Sequence, residues 1–167
     1  KRNLSCSYVE GKWLLADSEN TYPDFANTHF GNPQPIPFKE DIFASRDNQR
    51  RFCDYDGDGT SDLILGISDW RDYGWDNAFN EKGEWTHGPL HGYVYVARNK
   101  GTNTAPDYES AVKVEAGGKP IDVFGTPSPC FDDFDGDGDL DLVCGEFLDK
   151  LTYFANTGTR REPRYAE

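Results

Sequence analysis

Apolar residues in this chain come in short runs broken by turn-forming residues, as in Leu63-Ile64-Leu65 and Leu142-Val143-Cys144, each preceded by Asp and followed by Gly. No stretch of ten or more residues repeats apolar positions at helical spacing. The pattern predicts an all-β chain of short strands, and the two unbroken runs predict strands covered on both faces, as stacked sheets provide. Composition points the same way, with 17 Gly, 10 Pro and 14% aromatic residues among 167.

The chain also repeats itself. Phe52-Cys-Asp-Tyr-Asp-Gly-Asp-Gly-Thr-Ser-Asp-Leu-Ile-Leu-Gly66 matches Phe131-Asp-Asp-Phe-Asp-Gly-Asp-Gly-Asp-Leu-Asp-Leu-Val-Cys-Gly145 at an offset of 79. A second stretch, Asn99-Lys-Gly-Thr to Pro106-Asp-Tyr108, matches Asn156-Thr-Gly-Thr to Pro163-Arg-Tyr165 at an offset of 57. The difference of 22 measures an insertion in the first copy, between Gly66 and Asn99. The uninterrupted copy reads as an antiparallel meander: a strand over Pro129 to Phe134, a loop, a strand over Leu140 to Gly145, a turn at Leu148 to Lys150, and a strand over Leu151 to Ala155. The expected units are residues 1–49 as a partial or degenerate copy, 50–125 as a copy with an insertion at about 68–91, and 126–167 as a second copy. In the first unit, Trp13-Leu-Leu and Pro35-Ile-Pro-Phe38 stand in for Tyr153-Phe154 and Pro163-Arg-Tyr165.

The stretch Asp-x-Asp-Gly-Asp-Gly-x-x-Asp-Leu, a following Gly, an aromatic strand ending in Asn-x-Gly-Thr, and Pro-x-Tyr resemble the FG-GAP/VCBS-type repeats. The resemblance covers about residues 50 to 167, less the insertion. It implies β-propeller blades like those of integrin α-subunit heads, some lectins and secreted bacterial proteins, with calcium in the loop between the first two strands. It further implies that the remaining blades come from elsewhere in the parent protein.

The residues themselves support calcium. Counting from Asp54, carboxylates stand at positions 1, 3, 5 and 9 (Asp54, Asp56, Asp58, Asp62), with the Thr60 carbonyl at 7; Asp133, Asp135, Asp137 and Asp141 repeat the pattern, with Asp139 at 7. So many hard oxygen donors suit Ca2+ at two sites, or magnesium or manganese, better than zinc or copper. Gly57, Gly59, Gly136 and Gly138 permit the tight turns. An EF-hand is excluded because position 12 holds Leu65 or Cys144 instead of Glu, in strand-like surroundings. The expected role of the ion is structural, tying the first two strands together.

Cys130 and Cys144 lie three residues outside the two ends of the second loop, which predicts either a disulfide across the hairpin or small buried thiols.

The insertion holds three of the four Trp and two of the three His. Trp70, Arg71, Tyr73, Trp75, Asp76, Trp85, His87 and His91 are the candidate ligand-binding residues, since aromatic faces stack on pyranose rings and polar groups meet hydroxyls. The same aromatics would equally serve to fasten a long loop. A zinc pair at His87 and His91 is disfavoured, because Gly88 and Pro89 break the helix that would present it. His87, His91 and Arg71 are the weak catalytic candidates, with Arg71 able to bind a uronate carboxylate. No nucleophile elbow or phosphate-binding Gly loop accompanies them.

The net charge of -13 argues against nucleic acid as a partner. No apolar run approaches a membrane span. The first residue is Lys1 and the chain has no Met, which leads to the expectation of a processed or excised piece. The expected place is secreted, periplasmic or cell-surface, with a glycan as the expected ligand. The alternatives are part of a polysaccharide lyase and an integrin-like interaction module.

Overall fold

A computed structural model describes residues 4–9, 12–17, 19–23, 31–39, 49–74 and 78–166. It is all-β, without a helix among the described residues. Among the described residues the strands form three sheets, none closed into a barrel.

The first sheet is a meander of β1 (Ser5–Val9), β2 (Lys12–Ala16), β3 (Asn20–Tyr22) and β4 (Gln34–Pro35). Trp13-Leu14-Leu15 falls in the second strand of this sheet, whereas Tyr153-Phe154 falls in the third strand of its own.

The second sheet runs β5 (Gln49–Cys53), β6 (Asp62–Asp69), β7 (His91–Ala97), with β8 (Val112–Lys113) on the far side of β7. After β9 (Glu115–Ala116) and β10 (Lys119–Pro120), β11 (Asp122–Phe124) returns to pair with β7 where it lengthens beyond the repeat. The third sheet is built on β12 (Ser128–Asp132), β13 (Asp141–Gly145), β14 (Leu151–Asn156) and β15 (Tyr165–Ala166), with β9 added in parallel to β15.

The two copies agree residue by residue. Cys53 faces Asp62 as Asp132 faces Asp141, and Leu63 faces Ala97 as Leu142 faces Phe154. Asn99 Oδ1 accepts from the amides of Gly101 and Asp107 at 3.0 and 2.9 Å, as Asn156 Oδ1 does from Gly158 and Arg164, both at 2.9 Å. Asn therefore holds the Asn-x-Gly-Thr turn closed in both copies. The insertion is fixed between the pairs Gly66–Val94 and Gly145–Leu151: three further pairs, ending at Asp69–His91, lengthen β6 and β7 before the chain leaves the sheet.

Two apolar layers join the three sheets. Leu14, Ala16 and Ile36 pack on Phe52, Leu63, Leu65 and Ala97. The opposite face of the second sheet, Tyr55, Ile64, Val94 and Val96, packs on Leu142, Cys144 and Phe154, with Phe131 at the margin. β6 is thus covered on both faces, as its unbroken apolar run predicts. β13 departs from that expectation: Leu142 and Cys144 are buried but Val143 is only half-buried on the far face.

The cysteine expectation resolves in favour of free thiols. Cys130 faces Val143, and Cys144 faces Pro129, so the two are one register step apart. A single step moves a side chain to the other face. Cys130 is accordingly exposed, Cys144 is buried, and both are free.

Candidate functional site

Each aspartate loop bridges the first two strands of its copy, and paired glycines make the bend. Gly57 and Gly59 sit at φ 71° and 89°, Gly136 and Gly138 at 82° and 95°, a region that side chains disfavour. The bend brings one carboxylate oxygen each of Asp54, Asp56 and Asp58 within 4.8 Å of one another, and does the same for Asp133, Asp135 and Asp137. Asp54 and Asp133 also accept the amides of Gly59 and Gly138, at 3.2 and 3.1 Å, and Thr60 and Asp139 donate their amides to Asp58 and Asp137, at 2.8 and 3.1 Å.

Position 9 stands apart from these clusters. Asp62 and Asp141 are buried and accept the amides of Asn99 and Asn156 at 2.7 and 2.8 Å, so they tie the second strand to the turn after the third. Burial pushes the Asp62 carboxyl up to about 6, the neighbouring Asp56 and Asp58 charges adding to it while the Asn99 and Tyr55 amides oppose it. Asp139 is raised as well, first by burial and then by Asp137, Asp141 and Asp135.

The loops differ in counter-charge. Asp56 lies 3.7 Å from Arg98 and 3.8 Å from Lys100, and Asp54 lies 3.7 Å from Arg160. Arg160 belongs to the second copy and donates to the backbone carbonyls of Tyr55, at 2.7 Å, and Asp54. Among the described residues no Lys or Arg makes an ion pair with Asp133, Asp135 or Asp137. Asp56 Oδ1 is buried without a hydrogen-bond partner.

The insertion residues separate into two groups. Tyr73, Trp85 and His87, with Gly88, Pro89 and Phe124, line a cleft of about 320 Å³. The Tyr73 and Trp85 rings are 4.5 Å apart, Phe79 stands edge-on to Trp85 at 5.2 Å, and His87 Nδ1 lies 2.6 Å from the Tyr73 carbonyl. A carbonyl only accepts, so Nδ1 carries a proton, which leaves Nε2 as the acceptor of the neutral ring. Gly74, at φ 65°, allows this contact, since a Cβ there would stand 2.8 Å from His87 Nδ1. Trp70 is buried beneath, edge-on to Tyr73 at 5.4 Å, and fastens the loop.

Arg71 and His91 lie in a charged cluster outside the cleft. Arg71 is held by a bidentate ion pair with Asp69, Nε donating to Oδ1 and Nη2 to Oδ2. His91 Nδ1 is 2.6 Å from Asp122 and Nε2 is 3.3 Å from Asp72, with the ring stacked on Tyr93. Trp75 and Asp76 lie outside the described residues. Phe124 was not foreseen, because it comes from β11, far along the chain from the insertion, and only the pairing of Phe124 with His91 brings it there.

Two carboxylates on opposite sides of one ring require both nitrogens to donate, which only imidazolium does. Burial works to lower the His91 pKa, but the hydrogen bonds and charges of Asp122 and Asp72 outweigh it and hold it above the ordinary value. A raised folded pKa contributes stability that is complete below the unfolded value and is lost as pH rises through the folded one. His91→Gln is therefore expected to destabilise more at pH 5.5 than at pH 8.5, by on the order of 1 kcal/mol or less for so exposed a cluster. Urea denaturation of both proteins at the two pH values measures it; an equal loss at both would show that His91 is not charged in the folded chain.

Comparison with protein-family models, with curated proteins and with solved structures returned no match to this chain.

Proposed function

We propose that this chain is a calcium-binding β-propeller segment of an exported protein, in which the aromatic cleft of the insertion takes carbohydrate. The observation that carries the calcium reading is the twofold recurrence of three converging carboxylates on glycine-bent loops in the same register. The donors are all oxygen, which hard cations take. The buried, unpartnered Asp56 Oδ1 supplies an atom that a cation would satisfy. The propeller reading rests on successive antiparallel meanders, β1 to β4, β5 to β8 and β12 to β15, stacked through apolar layers.

The carbohydrate reading rests on the cleft of Tyr73, Trp85, His87 and Phe124. Rings offer stacking faces, and His87 Nε2 offers an acceptor for a hydroxyl. Binding is better supported than lyase chemistry. Both ring nitrogens of His91 face carboxylates, Arg71 is paired with Asp69, and among the described residues no Lys or Arg lines the cleft to neutralise a uronate.

Titration calorimetry with calcium, then with uncharged oligosaccharides, tests both halves. The expected result is two calcium ions per chain and a glycan affinity that Trp85→Ala lowers at least tenfold while calcium uptake is unchanged. Absence of calcium uptake would sink the first half. Failure to bind any glycan, in a protein that is calcium-loaded and folded, would sink the second.

A further inference from the structure

The two walls of the cleft come from different parts of the chain. Tyr73, Trp85 and His87 belong to the insertion, and Phe124 to β11. Each wall has its own anchor. In the insertion, Gly88 donates its amide to the Asp72 carbonyl at 3.0 Å and His87 Nδ1 lies 2.6 Å from the Tyr73 carbonyl, so Asp72 and Tyr73 are tied to the limb that carries His87. On the other side, the pairs Asp122–Tyr93 and Phe124–His91 lay β11 against the lengthened end of β7. Strand alternation puts Asp122 and Phe124 on one face of β11.

One side chain touches both anchors. His91 Nδ1 is 2.6 Å from Asp122, on the strand of Phe124, and Nε2 is 3.3 Å from Asp72, the residue before Tyr73. The Tyr73 and Phe124 rings themselves meet edge-on, their centroids 6.1 Å apart. His91 therefore spans the two walls at the level of their aromatic pair.

The groups around the ring account for its charge. Asp69 faces His91 across the β6–β7 ladder but is bound to Arg71. Tyr93 stacks on the ring, and Lys113 of β8 lies 4.0 Å from the Tyr93 centroid. Asp72 and Asp122 are left to His91, and both nitrogens donate to them only when the ring holds two protons. Burial opposes the charged form, but the bonds and charges of Asp122 and Asp72 outweigh it. When the second proton leaves, one nitrogen turns a lone pair toward a carboxylate. The Asp72 contact is the longer of the two, and its carboxylate is 65% exposed against 36% for Asp122, so it is the one that gives way.

We infer that His91 is a positioning residue of the cleft: as imidazolium it staples the Tyr73 wall to the Phe124 wall, and loss of its proton loosens the aromatic pair on which a sugar ring stacks. The inference rests on the carbohydrate reading of this cleft. A ligand that needs both walls binds in proportion to the population in which they are joined. Affinity is therefore full while the folded ring is protonated and falls as pH rises through its titration.

Calorimetry with uncharged hexose oligosaccharides, in calcium at pH 5.5 and 8.5, tests this on the wild type and two variants. The wild type is expected to bind roughly three- to fivefold more tightly at pH 5.5, the range that an exposed ion pair allows. His87 is an imidazole inside the cleft, so the response is read against variants that keep it. His91→Gln should bind as weakly at pH 5.5 as the wild type does at pH 8.5. His91→Arg, charged at both pH values and able to reach two carboxylates, should bind tightly at both. A wild type without a pH response, or an unchanged response in His91→Gln, overturns the inference and leaves the carbohydrate reading standing. Equal weakening by Gln and Arg at both pH values overturns it as well, because a side chain that only supports the local fold behaves in that way. If the folded, calcium-loaded wild type binds none of the oligosaccharides at either pH, the carbohydrate reading falls and the inference falls with it.

Discussion

Gly66→Ala is expected to destabilise the chain by about 3 kcal/mol or more, while the corresponding change Gly145→Ala is nearly neutral. The methyl group at Gly66 would meet the Pro127 carbonyl oxygen at 2.1 Å and Pro129 Cδ at 3.0 Å. The first of these is backbone, which cannot rotate aside. Relief requires the segment leading into β12 to lift off β6, and that opens the apolar layer between the second and third sheets. Near the melting point, 3 kcal/mol corresponds to a fall of roughly 6–12 °C for a chain of this size. Gly145 has neither obstacle nor positive φ, so alanine there costs little and removes some freedom from the unfolded chain. Thermal melts of the two variants, taken at concentrations that keep the chain monomeric, decide it. Equal melting temperatures would mean that the two sheets are not stacked as closely as described.

This contrast also shows how far the fold is legible in the sequence. The offsets of 79 and 57 recover the strand register of both copies, because side-chain alternation and an obligatory Asp-Gly loop leave a strand little freedom to slip. The length of the insertion is recovered for the same reason. Cys130 and Cys144 show the limit of counting from loop ends: the loop begins after Asp132, so Asp132 and not Asp133 faces Asp141, and the cysteines fall on opposite faces. The coverage of β13 is legible only as a tendency, since Val143 is as apolar as its counterpart Ile64 yet stays half-buried.

The candidate site is less legible because its parts arrive from distant segments. Tyr73, Trp85 and His87 stand out as an unusual cluster, but Phe124 joins them only because β11 pairs with the lengthened end of β7. That pairing depends on Gly92, where a Cβ would lie 2.6 Å from the Gly125 carbonyl oxygen. Arg71 and His91 belong to the same inserted run yet serve the charged cluster, since strand alternation and the first turn of the insertion direct them to Asp69, Asp72 and Asp122. Arg160 carried no signal at all: its counterpart is Asn103, which bonds to Ser61 and Gly59 within its own copy, whereas Arg160 reaches back to the loop of the preceding one.

Removing calcium is expected to lower the melting temperature by roughly 10–20 °C. A ligand at a hundredfold excess over its dissociation constant stabilises by about 2.7 kcal/mol per site, and each kcal/mol moves the melting point by roughly 2–4 °C at this chain length. The two loops are not expected to share the effect equally. In the first, Arg98, Lys100 and Arg160 stand within 4 Å of Asp54 or Asp56 and oppose a cation, whereas Asp133, Asp135 and Asp137 make no ion pair with a described residue. Like charges without compensation repel until a metal joins them. Asp135→Asn should therefore cost more of the calcium-dependent stability than Asp56→Asn, and calorimetry should resolve a tighter and a weaker site, the weaker one tightening when Arg160 is replaced by Gln. Melts with excess EDTA that match those in millimolar calcium would overturn the metal reading. Two sites of equal affinity would leave the metal in place and remove the argument from counter-charge.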